Sequence, residues 1–81
     1  MTEVAFTLLT RPGCHLCEEF LDELEQAFGG RYTLTERCVD DRPDWRERFG
    51  SLIPVLLGAD GSVVCTTRFD SDRVSAHLEG P

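Results

Sequence analysis

The stretch Val4-Ala-Phe-Thr-Leu-Leu-Thr10, followed without a spacer by Arg11-Pro12-Gly13-Cys14-His15-Leu16-Cys17, decides the fold. The first seven residues are apolar and β-prone, the pattern of a strand buried on both faces. Pro12 and Gly13 then break the ladder and turn the chain. From about Cys14 to Phe28 the apolar residues Leu16, Cys17, Phe20, Leu21, Leu24, Ala27 and Phe28 recur at helical spacing. Glu18, Glu19, Asp22, Glu23 and Glu25 lie mostly off that stripe, and the early acids favour the positive start of a helix. Gly29-Gly30 ends the helix.

Working outward, residues 32–39 place Tyr32, Leu34, Glu36 and Cys38 on one parity and predict a second strand. Asp40-Asp41-Arg42-Pro43 opens a short helix running to Phe49, with Asp41 as its cap and Pro43 in its first turn. Trp45 and Phe49, one turn apart, pack inward. Residues 53–57 predict a third strand entered through Pro54, and 63–67 a fourth, antiparallel across the Gly58-Ala59-Asp60-Gly61 turn. Asp70 or Ser71 caps a last helix to about Glu79, where Val74 and Leu78 share a face. The order β-α-β-α-β-β-α implies a right-handed crossover and a parallel first pair. The expected fold is α/β: one domain over 1–81, a four-stranded mixed sheet with helices on its faces.

The 81 residues carry 41% hydrophobic and 28% charged side chains, an ordinary globular balance. The net charge of −7 repels phosphate backbones and anionic lipid, so neither nucleic acid nor membrane is an expected partner. All eight basic residues are arginine, scattered along the chain without a patch, and no lysine can act as a base. Met1-Thr2-Glu3 does not resemble a signal peptide, so the cytoplasm is the expected location. In that compartment a Cys-x-x-Cys pair points to redox or metal chemistry rather than a structural disulfide.

The pair sits where chemistry is favoured. Cys14 opens a helix, where unpaired N–H groups and the helix dipole stabilise a thiolate. Such sites bring a thiol from about 8.5 to between roughly 3.5 and 7.5. Cys17, one turn on, is placed to resolve a mixed disulfide at Cys14. His15 either adds positive charge near the thiolate or stands solvated in the first turn. Arg11 either stabilises the thiolate, holds a substrate carboxylate, or is an ordinary surface arginine. Cys38 and Cys65 are isolated and strand-borne, and read with His77 as core cysteines and a surface histidine, too dispersed for a metal site. The Asp40-Asp41 pair reads as capping. The rival readings are zinc or iron–sulfur binding, and a non-catalytic binding module.

The segment Thr10-Arg11-Pro12-Gly13-Cys14-His15-Leu16-Cys17 resembles the active-site segment of glutaredoxins and small glutaredoxin-like proteins, which share the thioredoxin-like fold. The resemblance spans roughly 4–78. It implies Cys14 as exposed nucleophile, Cys17 as its partner and Arg11 as the basic residue three before the nucleophile. Ile53-Pro54-Val55 is similar to the family's cis-proline element, which implies that the backbone of Ile53 pairs with the substrate. Asp70 matches an acid that helps bind glutathione in the family. The family's preceding Gly-Gly is replaced by Thr66-Thr67-Arg68-Phe69, and its Cys-Pro-Tyr-Cys by Cys-His-Leu-Cys. Leu8 stands where thioredoxins proper bury a carboxylate, so that proton relay is absent. The implied function is a monomeric thiol–disulfide oxidoreductase with no bound cofactor and no metal. Its implied partner is a protein disulfide or a glutathione mixed disulfide, and glutathione is a candidate reductant.

Overall fold

The computed structural model describes residues 4–79; Met1, Thr2 and Glu3, and the chain-ending Gly80 and Pro81, lie outside the described residues. The apolar run forms strand β1 (Val4–Thr10), and the amphipathic stripe forms helix α1 (His15–Phe28). Strand β2 (Tyr32–Cys38) follows, then a single 3-10 turn (Val39–Asp41), helix α2 (Pro43–Phe49), strands β3 (Val55–Leu57) and β4 (Val63–Thr66), and helix α3 (Ser71–Glu79). The strands form one sheet in the order β2-β1-β3-β4. Strands β1 and β2 run parallel, from Val4 beside Tyr32 to Thr10 beside Cys38. Strand β3 is antiparallel to β1, with Leu9 opposite Val55, and pairs β4 through an irregularity at Leu56/Leu57. The expected mixed four-stranded α/β architecture is the one observed.

The pleat of β1 divides the core. Phe6 and Leu8 point to one face, where they meet Phe20 and Leu24 of α1, Val74 of α3 and Leu56. Leu9 points to the other, with Val39, Phe49, Val55 and Leu57, and Trp45 and Ile53 pack against that cluster. Helices α1 and α3 thus cover one face of the sheet, and the seven-residue α2 covers part of the other.

Several boundaries differ from expectation for local reasons. Strand β2 stops at Cys38 because Val39 turns into the 3-10 turn to bury its side chain fully. Asp41 does not cap α2; it lies inside that turn, its carboxylate 3.9 Å from Arg37, and Arg42 takes the cap position without a side-chain bond. The regular part of β3 begins at Val55, and β4 ends at Thr66, because Thr67 has a positive φ of 69°. Leu16 and Ala27, expected on the apolar stripe of α1, are exposed. His77 is half-buried rather than on the surface, its ring 5.5 Å from that of Phe6. Cys38 is only partly buried, whereas Cys65 is core.

Leu24 is fully buried and Leu16 is 44% exposed, although both were expected on one stripe. Leu24→Ala is expected to lower unfolding free energy by about 2–5 kcal/mol, and Leu16→Ala by about 0.5 kcal/mol or less. Urea titration of the two variants checks the contrast.

Candidate active site

The turn into α1 is built from residue chemistry. The Cys14 N–H donates to the Arg11 carbonyl at 3.2 Å, closing a four-residue turn around Pro12 and Gly13. Pro12 suits the first corner, and Gly13, at φ 78°, supplies the left-handed second corner that a side chain resists. Cys14 then stands at the N-cap of α1 with extended backbone. Its Sγ accepts a hydrogen bond from the Cys17 N–H at 3.1 Å, in the manner of a capping hydroxyl. Cys14 and Cys17 are joined in a disulfide, with Cα atoms 5.2 Å apart. The two are unequal: Cys14 is half-exposed, and Cys17 is 3% exposed against the core.

The two neighbouring basic side chains divide sharply. The His15 side chain is 94% exposed, with Nδ1 3.5 Å from the Glu18 carboxylate, which makes it the solvated first-turn residue of the two readings. The Arg11 guanidinium is engaged on three sides. Nε and Nη2 donate to the two carboxylate oxygens of Asp40, each at 3.0 Å, and Nη1 donates to the Gly50 carbonyl at 3.1 Å. This fork-on-fork pairing is the strong form of the arginine–carboxylate contact. It holds the Asp40 carboxyl below its ordinary range, chiefly through the Arg11 hydrogen bond, with Arg46 adding a weaker attraction at 3.7 Å. Asp40 was expected to serve in capping. Its partner is instead the arginine that leads into Cys14.

The proline element lies at the same end of the sheet. Leu9 pairs with Val55, so Pro54, one residue earlier, comes level with Thr10. Pro54 is fully buried, and the Ile53–Pro54 peptide bond is cis, as the family resemblance implies. Thr67 holds this loop from the far side. Its N–H donates to the Pro54 carbonyl at 2.7 Å, and its hydroxyl donates to the Leu52 carbonyl at 3.1 Å. A bond from the Arg68 N–H to the Thr66 carbonyl, 2.7 Å, closes a tight turn about Thr67. Sequence reading missed this role. The signal was present in the replacement of a glycine pair by Thr66-Thr67, but a positive φ is not readable from threonine.

Asp70 serves first as a cap, its Oδ1 accepting from the N–H groups of Asp72 and Arg73 at 3.1 and 3.2 Å. Burial pushes the Cys65 thiol up, which keeps it protonated and inert. Among the described residues no three His, Cys, Asp or Glu side chains gather as metal ligands do. A groove of about 260 Å³ runs from Leu16 along α1 past Glu19 and Glu23, with Thr67 and Phe69 on its opposite wall.

Two expectations follow from these contacts. A threonine at positive φ costs about 1–3 kcal/mol, and one neutral hydrogen bond contributes about 1 kcal/mol. Thr67→Val keeps the cost and loses the hydroxyl bond, whereas Thr67→Gly loses both, so the glycine variant is expected to be more stable than the valine variant by about 1–2 kcal/mol in urea melts. The depressed folded-state pKa of Asp40 gives stability that is whole above its ordinary value of 3.8 and is lost as pH falls through the folded value. Arg11 and Asp40 are 39% and 42% exposed, so screening keeps the effect modest. Asp40→Asn is therefore expected to lose less thermal stability than the parent between neutral pH and about pH 3.

The comparisons agree with this geometry. A family model described as Glutaredoxin-like domain (DUF836) matches residues 5–79. A crystal structure of the protein XcR50 from X. campestris is similar over 94% of this chain and 97% of its own, at 30% identity and TM-score 0.74. Its solution structure gives 31% identity and TM-score 0.68, over 95% of each chain. The solution structure of Ne2328 from Nitrosomonas europaea has 24% identity and TM-score 0.75, covering 96% of this chain and 94% of its own. No curated protein matches the chain. With nearly all its described length inside one family model, the chain belongs to the glutaredoxin-like domain family (DUF836).

Proposed function

We propose that this chain is a thiol–disulfide oxidoreductase in which Cys14 exchanges with substrate and Cys17 resolves the product. The observation that carries the reading is the asymmetry of the pair: a half-exposed Cys14 whose sulfur sits at a helix N-cap, and a buried Cys17 one turn behind it. In the reduced protein the cap N–H and the helix dipole favour the Cys14 thiolate over the Cys17 thiolate. The Cys14 thiolate attacks one sulfur of a target disulfide, that bond breaks, and the released thiolate takes a proton from water. Cys17 gives up its proton to solvent, and its thiolate attacks the Cys14 sulfur. The second substrate thiolate leaves, and the Cys14–Cys17 disulfide remains. Two electrons have passed to the substrate, and an external dithiol or two molecules of glutathione return them.

We assign the backbone of Ile53 the role of pairing with an extended substrate, in strand-addition fashion. Arg11 is engaged with Asp40 and Asp70 with the start of α3, so a glutathione carboxylate finds Arg11 taken and a glutathione ammonium finds Asp70 already accepting, which favours a protein disulfide. His15 stands solvated at the edge of the site and touches neither sulfur. We infer further that the chain works as a monomer in the cytoplasm without a bound cofactor. Among the described residues no helix is long and apolar enough to cross a membrane.

Cys17→Ser is expected to accumulate a mixed disulfide through Cys14 when given a disulfide-bonded peptide, and Cys14→Ser to accumulate none. Mass spectrometry of the non-reduced products reads both. In the reduced parent, Cys14 is expected to alkylate at least about tenfold faster than Cys17 near pH 6. Equal alkylation rates, or adducts through Cys38 in place of Cys14, would overturn the assignment.

A further inference from the structure

Helix α2 is too short for the face it covers. Seven residues of helix extend about 10 Å, whereas the seven residues of β1 extend about 23 Å. The helix sits over Leu9 and Val55, at the cysteine end of the sheet, and leaves the other half of that face open. The open half is a trough of about 400 Å³. Its floor is one lateral row across three strands, Thr35, Thr7 and Leu57, set by the β2–β1 and β1–β3 registers. Trp45 and Phe49 of α2 form one wall, and the turn at Gly58 and Ala59 forms the other.

The charge of this trough is opposite to that of the chain. Arg37, Arg42 and Arg48 line it with Asp44, and Asp41 stands beside Arg37, so three guanidinium groups face two carboxylates on a protein of net charge −7. Arg37 on β2, Arg42 at the start of α2 and Arg48 near its end converge there, a patch where the chain order led to none being expected. Their partners leave capacity unused. Arg42 is forked to Asp44 and stacks over Trp45 at 4.8 Å. Arg37 has only a 3.9 Å contact with Asp41. Arg48 stacks over the Phe49 ring at 4.7 Å and, among the described residues, meets no carboxylate.

We propose that this trough is a docking site for an acidic, extended protein segment carrying one apolar side chain. The apolar side chain sits over Leu57 beside Trp45, and flanking carboxylates take the guanidinium groups of Arg37 and Arg48. An extended chain fits because the floor is a row of strand residues with two threonine hydroxyls and no helix above it. The negative body disfavours a nucleic acid strand, whose charge continues past the trough, whereas a short acidic segment ends within it. The site shares no residue with the cysteine turn or the proline loop, so it stands whatever the disulfide does.

The single tryptophan of the chain, Trp45, lies in the trough and reports its occupancy. The probe is the peptide Glu-Asp-Glu-Phe-Glu-Asp-Glu, titrated into the full chain against its Gln/Asn counterpart. A saturable change in Trp45 emission, weakened by salt and absent with the neutral peptide, is expected. Arg37→Glu combined with Arg48→Glu is expected to weaken binding by about tenfold or more, with the circular dichroism spectrum and thermal midpoint unchanged. Amide shifts in the parent are expected at Thr7, Leu57 and Gly58. Equal binding of the neutral peptide, undiminished binding by the folded double variant, or no emission change would overturn the proposal. So would tighter binding of a short single-stranded oligonucleotide, or sedimentation showing that a second copy of the chain fills the trough.

Discussion

Strand β1 is hydrogen-bonded along both edges, to β2 on one side and β3 on the other, and its side chains are buried toward both faces. Phe6 and Leu8 require cover on one side and Leu9 on the other, and no single element can supply both. The parallel pairing with β2 forces a crossover, and α1 is that crossover, bringing Phe20 and Leu24 over the first face. Leu9 is covered by the chain that returns from β2, through Val39 and Phe49. The end of β1 therefore becomes the meeting point of three connections, and the cysteine turn is one of them.

At that meeting point the ordering of the loops rests on two residues, one from each flank. Arg11 reaches from the turn before Cys14 to Asp40 and to the carbonyl of Gly50. Thr67 reaches from the end of β4 to the carbonyls of Leu52 and Pro54. The loop over residues 50–54 is thereby tied at three carbonyls, all of them outside regular elements. Polar backbone that would otherwise stand unpaired beside a half-buried disulfide is satisfied, and the proline loop is fixed relative to the turn that carries the reactive sulfur.

The architecture was legible because its signals are local and redundant. The apolar run of β1, the stripe of α1 ended by Gly29-Gly30, and the Asp60-Gly61 turn each specify an element without help from elsewhere. The cysteine pair was legible for the same reason, since its meaning depends on lying between a strand and a helix. The partners of Arg11 were not, because Asp40 is 29 residues away and is brought in by the parallel register. The separation of Leu16 from Leu24 also escaped the pattern. Both fit a helical stripe, but Leu16 in the first turn of α1 is 44% exposed whereas Leu24 is buried. The arginine trough was invisible in the chain order because it is assembled from β2, the start of α2 and its end.

The sulfur of Cys14 is at once half of a disulfide and the acceptor that caps α1. Folding and reduction of the disulfide therefore share an atom and form a closed thermodynamic cycle. The unfolding free energy of the oxidised chain minus that of the reduced chain equals, by the cycle, the free energy of reducing the disulfide in the folded chain minus that in the unfolded chain. A substitution in the first turn of α1 that leaves the unfolded chain unchanged cannot move one side without moving the other. For this small domain, the reduction potential is in that sense a measurement of how much the start of one helix prefers a bridged cap to a free thiolate.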